Sequence, residues 1–266
     1  MIFFKPVSIF VCVLLISACG VTVERDSGPS RDVVDISSIP DAVPRDEPRS
    51  RYGNPDSYVV MGKRYYVMQD SDGFTQRGIA SWYGKKFHGR RTSSGETYDM
   101  YAMTAAHKTL PLPAYVQVTN LKNSRRVIVK VNDRGPFHDN RIIDLSYTAA
   151  TKLDIVKEGT GLVEIRVLNA RYDARQGAPV RTVSTGYSTK GFYIQVGSFG
   201  KLVNAEQLRI KLGAFGEHLV MISQAVVGKE TVYRVRIGPL SNVDMADSIV
   251  GKLGQYGILA HHIVID

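Results

Sequence analysis

The chain has 266 residues, 44% of them hydrophobic, and a formal net charge of +9. Two cysteines, Cys12 and Cys19, are too few for a disulfide framework, and no His/Cys cluster has metal-ligand spacing; stability must come from buried cores. The basic surplus is concentrated in residues 77–168, with fifteen Lys/Arg against eight Asp/Glu, while residues 20–76 carry seven against ten. That middle stretch suits an anionic polymer, with a solvated basic face as the alternative.

Residues 1–18 read as a secretion signal. Lys5 gives a small positive start, and Val7 to Ile16 is almost wholly apolar. The run is too short to span a bilayer, which takes about 20 apolar residues. Ile16-Ser17-Ala18-Cys19 fits a bacterial lipobox. The fit implies cleavage before Cys19, a diacylglyceryl thioether on its sulfur and an acylated amine, with palmitate among the chains. Each buried CH2 of such chains contributes about 0.8 kcal/mol, so two or three chains hold firmly. Gly20 stands where an aspartate would signal inner-membrane retention, so the expected address is the outer membrane. An ordinary signal peptide with an incidental cysteine is the alternative. A secreted lipoprotein seldom meets nucleic acid; peptidoglycan, with its lactyl and peptide carboxylates, is the expected anionic partner.

Residues 19–57 are rich in Pro, Ser, Asp and Arg and read as a flexible tether. Residues 58–76 read as a lead-in hairpin around Gly62, too small to stand alone. Over 77–168 the pattern turns to short β runs: Ile79 to Tyr83, Tyr115 to Thr119, Arg126 to Val131 and Gly161 to Leu168. Tyr147 to Leu153 reads as a short helix with Ser146 as N-cap. Residues 169–189 form a second linker. Residues 190–266 follow the order βαββαβ, with Ala205, Leu208 and Leu212 on one helical face and Ala246, Ile249, Val250 and Leu253 on another. That order predicts a ferredoxin-like sheet with helices on one face.

Ser81-Trp82-Tyr83-Gly84, Ser94-Gly95-Glu96, Asp99, His107, Asn132-Asp133-Arg134-Gly135-Pro136-Phe137 and Arg141-Ile142-Ile143-Asp144-Leu145-Ser146 crowd into one stretch. Acids, one imidazole and sugar-stacking aromatics suit polysaccharide cleavage. The pattern resembles the six-stranded double-psi β-barrel of the rare lipoprotein A family, envelope proteins that act as lytic transglycosylases. The resemblance places functional acids at Glu96, Asp99 and Asp133 and a histidine at His107, and implies no cofactor. Ser93-Ser94 stands where the family often has Ala-Asn.

Glycoside hydrolases use two carboxylates, one as acid and one for water or covalent capture. A lytic transglycosylase uses the sugar's own C6 hydroxyl, so one residue serves as acid and then as base, leaving a 1,6-anhydro-muramyl end. Asp133, at the end of an apolar strand, is the first choice for that residue. Such an acid must stay protonated near neutrality, through burial or a like-charged neighbour. Glu96 or Asp99 can act as that neighbour or stabilise oxocarbenium charge, and His107 can position a carboxylate or bind substrate. A turn-capping role for Asp133 and a core role for His107 stay open. Trp82 and Tyr83 either floor a cleft or pack in the core. Asp144 is expected to pair with Arg134 or Arg141. No nucleophile elbow surrounds Ser94, which argues against a serine hydrolase.

Tyr193-Ile194-Gln195-Val196-Gly197-Ser198-Phe199 and Tyr233-Arg234-Val235-Arg236-Ile237-Gly238-Pro239 resemble the SPOR domain, a module for septal peptidoglycan stripped of stem peptides. Strand alternation places Tyr193, Gln195, Arg234 and Arg236 on one open face able to bind glycan. The two resemblances together imply an endolytic enzyme acting on denuded glycan at the septum, with division-machinery or amidase proteins as further partners. A non-catalytic glycan-binding lipoprotein is the alternative. His261-His262 is not expected to bind metal.

Overall fold

The computed structural model describes residues 27–29, 34–169, 191–216 and 218–265. Strands β1 (Ser57–Val60) and β2 (Lys63–Tyr66) pair antiparallel. Met61 and Gly62 between them both have positive φ, at 50° and 76°, the turn geometry that matches strand twist.

Six strands then close a barrel: β3 (Thr75–Tyr83), β4 (Thr104–His107), β5 (Ala114–Asn120), β6 (Arg126–Asp133), β7 (Arg141–Ser146) and β8 (Gly161–Leu168). Their order is β3-β7-β4-β6-β5-β8. The pairs β3/β7 and β4/β6 are parallel and the others antiparallel. Alternation drives the closure. Val127, Val129 and Val131 on β6 point inward with Val116 and Val118 of β5 and Val163 and Ile165 of β8. Burying each such side chain contributes about 1.5–3 kcal/mol. Helix α1 (Tyr147–Leu153) starts where Ser146 Oγ accepts the Ala149 N–H at 3.3 Å and stops at Asp154, whose φ is 62°. Strands β4 and β7 are the two barrel strands that local pattern does not mark. β4 has four residues and β7 runs straight into a helix cap.

The C-terminal domain has β9 (Phe192–Phe199), α2 (Leu202–Lys211), β10 (Val220–Val227), β11 (Glu230–Leu240), α3 (Val243–Leu253) and β12 (His262–Ile265). The sheet order β10-β11-β9-β12 is wholly antiparallel, the ferredoxin-like arrangement. Asn242 caps α3 by accepting the Met245 N–H at 2.8 Å. Ala205, Leu212, Ala246, Ile249 and Leu253 bury the helices against the apolar sheet face. Ile79 of the barrel is fully buried in this second core, so the two domains share a seam. Arg141 and Asp247 close it at 2.6 Å.

The tether expected over 19–57 is held against the barrel in its described part. Strand β6 pairs with β4 only from Lys130 onward, which leaves the edge at Ile128 without a strand partner. Residues 41 and 42 satisfy it: the Ala42 N–H donates to Ile128 O, and the Ile128 N–H donates to Asp41 Oδ2, both at 3.0 Å. Further along, Asn54 exchanges hydrogen bonds with both backbone groups of Leu112 at 2.8 Å. Composition marks this segment as unable to form its own core; it borrows the barrel's edge instead.

Candidate active site

The site is built where β6 ends. Ala105 of β4 pairs with Val131, but Ala106 pairs with Asp133, so Asn132 is an extra residue in the ladder. Such a bulge re-aims the side chains beside it. Facing the bulge is a tight turn over residues 92–96. It is closed by the Thr92 N–H to Glu96 O at 2.8 Å and the Gly95 N–H to Thr92 O at 3.0 Å, with Gly95 at φ +93°.

The turn grips the strand end twice. Asp133 Oδ1 accepts the Ser93 N–H at 2.7 Å, the Ser93 hydroxyl at 2.6 Å and the Arg134 N–H at 2.8 Å. With Oδ1 so occupied the carboxyl is fixed in orientation. Oδ2 accepts no hydrogen bond from the described residues. Glu96 lies on the same turn. Its Oε1 meets Lys130 Nζ at 2.9 Å and its Oε2 accepts from Asn132 Nδ2 at 2.7 Å. Asn132 is 2% exposed and its Oδ1 is buried without a partner among the described residues. A buried orphan acceptor is costly, and such groups concentrate at functional sites. Asp133, on the bulged strand end, and Glu96, on the turn that grips it, are therefore brought to one site.

Asp99 and His107 are placed elsewhere. Asp99 is exposed on a neighbouring turn, where it accepts the Tyr101 N–H at 3.0 Å and lies 3.6 Å from His88 Nδ1. His107 is 3% exposed, and its Nδ1 accepts the N–H groups of Thr109 and Leu110 at 3.2 and 3.0 Å. Those donors fix the proton on Nε2, which faces Gln76 Oε1 at 3.4 Å. Burial, then Arg134 and Lys108, push its pKa down to about 3. It lines a cavity of about 240 Å³ at the domain seam, which neither Asp133 nor Glu96 lines. His107 meets the site through its backbone, its carbonyl accepting from Arg134 Nη1 at 3.2 Å.

Tyr83 is 7% exposed and stacks on Tyr98 at 4.1 Å, so its ring is internal. Trp82 is half-buried, edge-on to Tyr147 at 5.8 Å. Asp144 accepts the Ser81 hydroxyl at 2.6 Å, a correction to the expected arginine pairing. Arg141 is drawn to Asp247, and Arg134 donates to the carbonyls of Gly53, His107 and Leu110. In the C-terminal sheet Arg236 pairs with Gln195 and Arg234 with Ser198, and Val196 is an extra residue between them. Tyr193, Gln195, Arg234 and Arg236 share the face opposite the helices. Arg236 is only 8% exposed, lying 5.9 Å above the Tyr193 ring. Cys19 lies outside the described residues.

A family model described as lytic transglycolase matches residues 75–165, and a SPOR-domain model matches residues 188–263. The endolytic peptidoglycan transglycosylase RlpA of Pseudomonas aeruginosa (strain UCBPP-PA14) is 40% identical over 286 residues, covering 87% of this chain and 83% of the relative. The chain belongs to the RlpA family. The protein of the same description from Vibrio cholerae serotype O1 is 42% identical over 84% of this chain and 81% of its own length. The crystal structure of the RlpA SPOR domain from Pseudomonas aeruginosa aligns at 29% identity over 29% of this chain and all of that one, with a TM-score of 0.27.

In this RlpA-family barrel, sequence reasoning missed Ser93, Lys130 and Asn132. Lys130 and Asn132 carried a signal, since their spacing places both on the strand face opposite Val129 and Val131. Ser93 did not, because its bond to Asp133 spans 40 residues. The arrangement offers one carboxyl oxygen held open beside a second carboxylate that Lys130 and Asn132 hold in place. That set can move a proton to and from a bound sugar.

Proposed function

We propose that the chain cleaves the β-1,4 bond between MurNAc and GlcNAc in peptide-free glycan strands and leaves 1,6-anhydro-MurNAc ends. The observation that carries this reading is Asp133, with Oδ1 saturated by three donors and Oδ2 open. The step requires Asp133 to enter with a proton on Oδ2; that proton passes to the departing glycosidic oxygen as the C1–O bond breaks. The muramyl C6 hydroxyl then closes on C1 and returns its proton to Asp133, so no water is consumed. Glu96, clamped by Lys130 and Asn132, faces the developing positive charge at C1. Asp99, on the neighbouring turn, contacts substrate. His107 holds β4 and Arg134 rather than exchanging protons, since a histidine with a pKa near 3 stays neutral at pH 7.

The remaining assignments belong to the same proposal. Lipidated Cys19 anchors the protein to the periplasmic face of the outer membrane. The open sheet face of the C-terminal domain binds denuded strands and enriches the protein at the septum, for wall remodelling and daughter-cell separation. The family membership and the SPOR match support peptidoglycan as the common ligand. The test uses purified protein on amidase-treated glycan. Wild type should release anhydro-muramyl ends, and Asp133→Asn should lower kcat by at least a hundredfold. Reducing-end muramic acid as the sole product would make the protein a hydrolase, full activity in Asp133→Asn would assign the acid to another residue, and no cleavage by wild type would leave a glycan-binding module as the better reading.

A further inference from the structure

We infer that the segment before the barrel, through Glu47 and Gly53, positions the two carboxylates and is part of the catalytic platform. The inference rests on Asp133 and Glu96 being the reacting pair, and it concerns residues outside the 75–165 span that the lytic transglycolase family model matches.

Glu47 reaches the site through Lys130. The Tyr115 hydroxyl donates to Glu47 Oε1, and Lys130 Nζ bridges Glu47 Oε2 at 3.0 Å and Glu96 Oε1 at 2.9 Å. The bond from Tyr115 and the charge of Lys130 hold the Glu47 carboxyl below the usual glutamate value against the opposing effect of burial. Partial burial pulls Lys130 down, and its bonds to Glu96 and Glu47 more than offset this, leaving it above the usual lysine value. A lysine paired to Glu96 alone would swing with it. Anchored on both sides, it fixes where the Glu96 carboxylate sits.

Gly53 reaches the site through Ser93. It has φ +81°, and a Cβ there would stand 2.7 Å from the Ser93 carbonyl oxygen. Ser93 is the residue whose N–H and hydroxyl hold Asp133. Gly53 O also accepts Arg134 Nε at 2.9 Å and Nη2 at 2.6 Å, and the Arg134 N–H is the third donor to Asp133. The segment thus touches both residues that supply the three donors to Asp133. Its own place is fixed at each end, on Ile128 and on Leu112.

Partly exposed ion pairs add little to stability, whereas a misplacement of about 1 Å in a reacting group can cost a hundredfold in rate. Glu47 and Gly53 are therefore positioning residues, and their loss should be read in kcat. In the full chain acting on peptide-free glycan, Glu47→Gln should lower kcat about tenfold with KM and melting temperature unchanged. It should add almost nothing in a Lys130→Met background, because both changes break one relay. Gly53→Ala should lower kcat further, and if it fails to fold, Glu47→Gln still decides. Wild-type kcat in Glu47→Gln, a rise in KM alone, or fully additive losses with Lys130→Met would overturn the inference. Asp133→Asn runs alongside: activity retained there sinks the catalytic reading of Asp133 itself. An inactive Asp133→Asn beside wild-type kcat in Glu47→Gln sinks this inference alone.

Discussion

His107 links a single side chain to the pH range of the whole barrel. In the unfolded chain its imidazole titrates near its ordinary 6.5, whereas burial, Arg134 and Lys108 lower it to about 3 in the fold. Between those values the unfolded state binds the extra proton, so stability is full above 6.5 and falls as pH drops towards 3. At pH 5 the penalty is about 2 kcal/mol, from 1.36 kcal/mol per pH unit. Urea unfolding of wild type and His107→Gln at pH 7 and pH 5 checks it. Wild type should lose stability between the two, and the variant should lose less. A variant that loses as much would assign the acid sensitivity to carboxylates instead. A lone histidine in sequence leaves catalysis and packing both open; the two backbone N–H groups on Nδ1 and the cover of Phe74 favour packing. Neither is visible from residue identity, because both arise from how the chain turns after β4.

Among the elements, those marked by alternating valines were legible, and the four-residue β4 and six-residue β7 were not. Strands β5, β6 and β8 show their valines, and α1 shows its Ser146 cap. Strands β4 and β7 do not, since each is short and takes its pairing from distant partners. The same holds at the site. Asp133 and Glu96 were legible as residues, but the bulge at Asn132 that aims Asp133 depends on the register of β4 against β6, and the grip of the Glu96 turn on that bulge is equally long-range. The 92–96 turn is the element most open to a clean test. Gly95 at φ +93° accommodates what no other side chain takes easily, and an added Cβ would press Tyr52 at 3.2 Å. Gly95→Ala should cost about 1–2 kcal/mol of stability and loosen the Ser93 and Glu96 grips together. Circular dichroism melting should register the first effect, and the release of anhydro ends the second, with kcat falling more than stability alone explains. A stability loss with unchanged kcat would mean that the turn does not set the site geometry.

At the scale of the molecule, the barrel and the C-terminal domain share Ile79 and the contacts of Asp247 with Arg141 and Asn140. The loop that begins at Asp133 ends at this seam, so the proposed cutting residue and the proposed glycan-holding domain are joined by only a few residues. Both are proposed to engage the same denuded polymer, and two linked weak sites on one strand gain effective concentration without any new contact. Removing residues 190–266 should therefore disperse the protein around the envelope. It should also uncover Ile79 and lower barrel stability by about 2 kcal/mol, while the barrel still cuts soluble strands. A gentler variant separates targeting from stability. Arg236 is packed beneath its neighbours, but Gln195 and Arg234 lie on the open face, and replacing both with Ala removes polar groups without opening the core. Fluorescent fusions of the truncation and of the double variant should both lose septal enrichment, and only the truncation should melt earlier. Enrichment that survives in both would assign targeting to the barrel or to another protein. Loss in the truncation alone would place the glycan-binding surface elsewhere on the C-terminal domain.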